Sequence, residues 1–499
     1  MRDFDFFGTA SPIEEEVCSN ELELSFDFDY ENLLNDGIEK NVKLCASVKP
    51  SNELRRSFEK SGRAQSTHIC LLIDTSDSMS IVVDNTNAVS TGEFTIGEDG
   101  RTYNIVKGGI SKLHIAIESA KKIVELMREG DTLSCITYDD NARVIFENLK
   151  VTDKNAILHY LESMKNHYGM NTNISEALLL ADTVLSKYDD AVPKRIMFFT
   201  DGTPTGSDTE SKGIKAGQIL ANHNIAVESM GFGKDDVNFP YLQKISSFSG
   251  GITTMINYPD EFASVFASMF EQSQSIIVTN VKLVLRLTPG IKILDYYRGT
   301  PDNVYLGNYE RINDSCLELN IGQIEKNQMY KYYFNVNLPG VADDYEGPIN
   351  TMSAELHFFV PGKHNDEEQV VKGNVPINYT SDQNEADEIN GDVNILFRLA
   401  EVKRFDEERE KAFNAGDTNG TIMWIKRIVD VYKELQKPIE AQAYTEMLEQ
   451  YMKTNKISKA VLNKATSSSS QAQETGILED LEEEEMSKFA NRLKNRRRR

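Results

Sequence analysis

Apolar and polar residues alternate strictly over 21–29, with Leu22, Leu24, Phe26 and Phe28 on one side and acidic or small polar residues on the other. A period of two predicts a half-buried strand with one wet face. Val42, Leu44, Ala46 and Val48 repeat the pattern, and the polar stretch 50–66 reads as a linker. From residue 68 the pattern changes to short continuous apolar runs separated by amphipathic stretches. The runs at 68–74, 132–139, 143–146, 195–201, 225–232 and 252–256 predict strands. The stretches at 112–128, 155–164, 174–187, 211–223, 239–248 and 260–273 predict helices. Continuous apolar strands between amphipathic helices imply an α/β fold, a doubly wound and mostly parallel sheet covered on both faces. The run at 143–146 follows a tight turn after its neighbour, which makes it an antiparallel edge strand.

Alternation returns between 276 and 380. Val281, Leu283, Leu285 and Leu287 share one face, and further strand patterns follow at 316–319, 330–336, 354–360 and 369–372. Pro-Gly pairs at 289–290, 339–340 and 361–362 punctuate them. This is the pattern of an antiparallel β-sandwich. The strands of 21–50 complete it, so that an α/β domain over 67–274 is inserted into a sandwich formed by 21–50 and 276–380. Over 384–460 the period becomes helical, with Ile395, Leu399, Val402 and Phe405 on one stripe and Ile422, Ile425, Val429, Tyr432 and Leu435 on a second. A third run at 439–452 completes a three-helix segment. Residues 1–20 read as a disordered acidic N-terminus. Residues 465–499 read as a disordered charged tail that opens with the serine run 467–470 as a flexible linker.

The chemistry concentrates where the strands end. Asp74, Ser76 and Ser78 follow the run Cys70-Leu71-Leu72-Ile73 and place a carboxylate and two hydroxyls on one short loop. Open α/β sheets bind ligands at the carboxyl ends of their strands, and hard oxygen donors suit Mg²⁺. Thr172 lies in a loop between two helical patterns, and Asp201 ends the apolar run 195–200.

A DxSxS loop, a Thr and an Asp in this order resemble the metal-ion-dependent adhesion site (MIDAS) of the von Willebrand factor type A (vWA) family, over roughly residues 67–274. The resemblance implies a Rossmann-like fold and a metal held by Asp74, Ser76, Ser78, Thr172 and Asp201, with Mg²⁺ the expected cofactor and Mn²⁺ close behind. Asp77 stands where members commonly carry Gly, and either strengthens the attraction for a cation or faces solvent. Residues 81–110 separate the DxSxS loop from the first helix, where most relatives have no such insertion. A hairpin-type turn at 97–100 lies within it, and the insertion reads as a tolerated loop or a specificity element at the metal face.

Composition narrows the partners. The 499 residues carry a net charge of -24, which excludes nonspecific nucleic-acid binding across the whole surface. No stretch of 18 apolar residues predicts a membrane-inserted helix, and 1–7 do not read as a signal peptide. Five scattered cysteines, Cys18, Cys45, Cys70, Cys135 and Cys316, argue for reduced thiols and a cytoplasmic protein. The C-terminal arginine run reads as a nuclear import signal, a contact for an acidic partner, or a solvated end.

The expected function is a metal-dependent protein-binding scaffold, whose metal is completed by an Asp or Glu from a protein partner. The alternatives are a Mg²⁺-dependent phosphohydrolase and a structural subunit whose metal only stiffens loops. Catalysis is not expected. Ser76 stands where Asp-nucleophile phosphatases need a second carboxylate, Lys194 precedes its strand and lies at the opposite edge, and no Gly-x-Ser-x-Gly elbow exists. His167 is the one histidine near the loops.

Overall fold

The computed structural model describes residues 20–61, 66–84, 87–96, 102–165, 167–188, 192–201, 203–232, 237–256, 262–307, 315–342, 344–471 and 476–478. The expected disorder over 1–19 and the acidic and basic blocks beyond 478 lie outside them. The chain divides into an α/β unit, Ala64–Thr279 with Lys453–Ser467, and a second unit, Met1–Arg63 with Asn280–Met452 and Ser468–Arg499.

In the α/β unit six strands form one sheet in the order Ala142–Lys150, Thr132–Tyr138, His68–Asp74, Lys194–Thr200, Ile225–Phe232 and Thr253–Ile256. All neighbours are parallel except the edge strand Ala142–Lys150, which runs antiparallel to Thr132–Tyr138. The edge strand continues past 146 to Lys150 through irregularities in its register. The continuous apolar runs are explained by two cores. Ile69, Leu71, Ile73, Met197 and Phe199 pack with Leu113, Ala116 and Ile117 of the helix Lys112–Leu126 on one face. Cys70, Leu72, Ile196 and Phe198 pack with Ile174, Leu178 and Leu220 on the other. A strand buried on both faces cannot keep a polar side, so alternation vanishes.

The segment 81–110 forms two small ribbons. Val82–Asp84 pairs with Ile110–Ser111, and Val89–Ile96 pairs with Thr102–Lys107 as a hairpin. The predicted turn at 97–100 is outside the described residues.

In the second unit, Leu22–Phe28 pairs antiparallel with Lys40–Pro50, which pairs with Tyr330–Leu338. The strands Lys292–Thr300 and Val304–Gly307 complete this five-stranded sheet. Another five-stranded sheet has the order Cys316–Glu325, Ile276–Leu287, Gly347–Phe359, Gln369–Thr380 and Asn32–Leu34. The early segment therefore contributes to both sheets.

Two local readings change. The polar stretch after residue 50 contains a helix, Asn52–Ser61, that buries Leu54 and the whole of Arg55. The Arg55 guanidinium is held by Asn52 and Asn327, so the stretch expected as a linker carries a buried anchor. The helices Gly391–Asn414, Thr418–Glu434 and Pro438–Thr454 are followed by a fourth, Lys459–Ser470, where a disordered tail was expected from 465. Ser469 and Ser470 are buried and accept from the buried Lys403 Nζ at 2.9 and 2.8 Å. A serine run resembles a linker in composition, but a buried ammonium turns its hydroxyls into obligatory partners.

Candidate metal centre

Asp74 ends its strand fully buried. Its Oδ1 accepts from the Ser76 backbone N–H at 2.8 Å, a local turn that stops the strand and starts the short 3₁₀ segment Asp77–Ser80. Its Oδ2 accepts from Thr200 Oγ at 2.8 Å. Buried Met79 anchors the 3₁₀ turn into the core. Ser76 Oγ lies 3.2 Å from Ser78 Oγ, and Ser78 Oγ donates to Asp201 Oδ1 at 2.8 Å. Asp201 Oδ2 accepts from Lys112 Nζ at 2.6 Å, in an ion pair whose side chains are 4% and 0% exposed. Asp77 is exposed.

Four of the five expected residues thus meet on neighbouring strand ends. Thr172, buried at 4% exposure, stands on an adjoining loop that is stitched to the others by its backbone. Its N–H donates to Thr205 Oγ at 2.8 Å, and its carbonyl accepts from Thr205 N–H at 3.2 Å. The loop begins at Gly169, whose N–H donates to the Thr75 carbonyl at 2.8 Å. The Asn173 N–H donates to the Asp139 carbonyl at 2.9 Å.

Asp139 is the clamp that sequence reasoning missed. Its buried carboxylate accepts from both Arg143 guanidinium nitrogens at 2.9 and 3.1 Å and from the Asn141 N–H at 3.2 Å. It also lies within 3.4 Å of Thr75 Oγ. The signal was the same as for Asp201, a carboxylate at the end of an apolar strand. Thr200 and Lys112 were missed as well. Thr200 falls within a predicted strand and Lys112 at the start of a predicted helix, and neither position marks a site residue.

The electrostatics are those of a crowded anionic pocket. Burial first, then the neighbouring Asp201, pushes the Asp74 carboxyl well above the usual carboxylate range, against hydrogen bonds from Ser76 and Thr200 that lower it. A cation placed among these oxygens relieves both effects, so the donor set, two carboxylates and neutral hydroxyls, fits a hard divalent ion. No group of three or more His, Cys, Asp and Glu suited to a metal occurs among the described residues, so hydroxyls are required to complete any shell here.

Lys194 and His167 occupy different positions. Lys194 is buried at the amino end of its strand, paired in register with His68, and donates to the Tyr188 carbonyl at 3.3 Å. His167 is 63% exposed, with Nε2 3.8 Å from Asp139, beyond hydrogen-bond distance.

Comparison with known proteins agrees with this architecture. A family model described as the von Willebrand factor type A domain matches residues 69–203. A protein of Synechocystis sp. named uncharacterized protein sll0103 is 27% identical over 222 residues, 44% of this chain and 45% of that one. Inter alpha-trypsin inhibitor heavy chain 4 of Mus musculus is 26% identical over 180 residues, 34% of this chain and 19% of that one. The chain thus matches less than half the length of either curated relative. A solved structure, the von Willebrand factor type A protein from Catenulispora acidiphila, superposes with a TM-score of 0.69 at 17% identity and covers 93% of this chain and 99% of that one. The ArnB paralog VWA2 from Sulfolobus acidocaldarius gives 0.54 at 14% identity over 92% and 100%. These likenesses concern the fold. The family match spans four of the six strands, from His68–Asp74 to Lys194–Thr200, and with the strand order it marks the α/β unit as a von Willebrand factor type A domain.

Proposed function

We propose that the α/β unit is a metal-dependent protein-binding module. Asp74, Ser76, Ser78, Thr172 and Asp201 would hold a divalent ion, Mg²⁺ by default and Mn²⁺ as the alternative. When bound, the ion supplies an open position for a carboxylate from a protein partner. The observation that carries this reading is the run of Asp74, Ser76, Ser78 and Asp201 in one hydrogen-bonded cluster at adjoining strand ends, with Asp74 disfavoured as a lone buried anion. Neutral hydroxyls keep the total ligand charge low, which leaves an ion electrophilic enough to take a foreign Asp or Glu. The hairpin Val89–Ile96/Thr102–Lys107 connects the Ser78 loop to the helix at Lys112 and offers exposed Val89, Phe94 and Ile105 as neighbouring contact surface.

We place the protein in the cytoplasm on the strength of its thiols, Cys45, Cys70, Cys135 and Cys316 being free. No helix among the described residues is long and apolar enough to cross a membrane.

The test is capture of partners on the immobilised chain with and without chelator, repeated with Ser76→Ala. This variant removes one hydroxyl and leaves the Lys112–Asp201 pair intact. Magnesium binding by calorimetry in the wild type, weakened in Ser76→Ala, together with partners lost to chelator, is expected. Identical capture in all conditions refutes the reading. Asp201→Ala is a poor probe: Asp201 is buried, and its removal also breaks the ion pair with the buried Lys112 ammonium.

A further inference from the structure

Lys112 is out of place by ordinary helix rules. It is the first residue of Lys112–Leu126, where the helix dipole favours an anion, and the first turn contains no acidic residue. Its side chain is 4% exposed, so the charge has also been taken out of water. Either cost alone disfavours a lysine, and an uncharged side chain of similar length would fill the same space. The counterpart is Asp201 Oδ2 at 2.6 Å.

The helix start that carries this side chain is also fixed. Ser111 caps the helix by accepting from the His114 N–H at 3.2 Å, the Lys112 N–H donates to the Ile81 carbonyl at 3.0 Å, and Leu113, Ala116 and Ile117 are locked in the core. The ribbon of Val82–Asp84 with Ile110–Ser111 closes the base of the 81–110 insertion and returns the chain to Ile81, beside the DxSxS loop. The insertion therefore delivers Lys112 to the pocket.

We propose that Lys112 is a built-in competitor cation of the metal site, which holds Asp201 in place and weakens the affinity for a divalent ion. The proposal rests on the metal-binding reading above and deepens it. Asp201 has one oxygen on Ser78 and the other on Lys112. A divalent ion that engages Asp201 meets a fixed positive charge on the same carboxylate. Like charges at such range repel strongly where solvent is excluded. Lys112 thereby sets the site for weak metal binding, so that a partner's carboxylate contributes to retaining the ion.

The experiment compares the full chain with Lys112→Gln, which keeps a donor for Asp201 without the charge, and Lys112→Met. Magnesium and manganese affinities are measured by calorimetry, and melting is followed with and without each metal. At least a tenfold tighter binding in Lys112→Gln, with a larger metal-induced rise in melting temperature, is expected. A variant that is unfolded without metal and folds on adding it also supports the proposal, because the ion then replaces the ammonium. Wild type that binds metal while folded variants bind no tighter overturns the proposal and leaves the metal reading standing. Variants that stay unfolded at saturating metal overturn it too. Binding in the variants but not in the wild type supports the competitor role and removes the metal-loaded wild type. Binding in none removes both.

Discussion

Gly169→Ala probes the joint between the Thr172 loop and the rest of the site. A Cβ built at 169 would stand 2.2 Å from Asp139 Cβ, 2.4 Å from its Cγ and 2.8 Å from its Oδ2. Asp139 cannot swing away, because two Arg143 nitrogens and the Asn141 N–H hold its carboxylate. The Gly169 N–H to Thr75 carbonyl bond ties the loop from the other side. Overpacking of this kind costs about 1–3 kcal/mol, and a lost buried backbone bond adds about 1 kcal/mol. The expected destabilisation is therefore about 3 kcal/mol, or roughly 6–12 °C for a unit of this size. The assay is urea unfolding of the full chain, following the transition of the α/β unit, together with magnesium calorimetry. Gly391→Ala is the control, since a Cβ there meets nothing within 4 Å. It lies at the start of a helix and is expected to be neutral or to stabilise by up to about 1 kcal/mol. Should Gly169→Ala unfold within about 0.5 kcal/mol of wild type, the tight packing of loop on clamp is refuted.

Other perturbations reach separate parts of the molecule. Burial pulls the His68 imidazole down from 6.5 to about 4, with the ring stacked on Tyr188 at a centroid distance of 3.7 Å. The unfolded chain takes up a proton below 6.5 and the folded one does not until about 4, so stability is fully present above pH 6.5 and falls on acidification through that window. The loss is up to about 3 kcal/mol, and His68→Gln is expected to flatten it in unfolding measured from pH 7 to 4. Thr200→Val removes the hydroxyl donor to Asp74 and is expected to cost about 1.5–3 kcal/mol in denaturant unfolding and to weaken magnesium binding. Lys403→Met leaves the Ser469 and Ser470 hydroxyls without their ammonium and is expected to cost about 2–3 kcal/mol, with the second unit's transition reporting it. A transition unchanged by Lys403→Met would show that the serine contacts carry no stability.

The order of elements in the α/β unit was legible because burial on both faces writes itself as unbroken apolar runs, as in Cys70-Leu71-Leu72-Ile73. The DxSxS loop and Asp201 were legible because oxygen-bearing residues follow those runs directly, whereas Thr172 stands in a loop between two helices with no such run before it. The alternation of Leu22, Leu24, Phe26 and Phe28 likewise announced a strand, though not that the strand Asn32–Leu34 joins a different sheet. What the chain alone could not disclose is partnership between distant polar groups. Lys112 looks like a solvated helix start until Asp201, 89 positions away, is found against it. Asp139 looks like one more strand end until Gly169 and Arg143 close on it, and Ser469 and Ser470 look like linker until Lys403 needs them. Apolar patterning is a local record of burial, repeated at every turn or pleat. A buried charge is stabilised by one specific partner, and only the folded chain determines which residue that is.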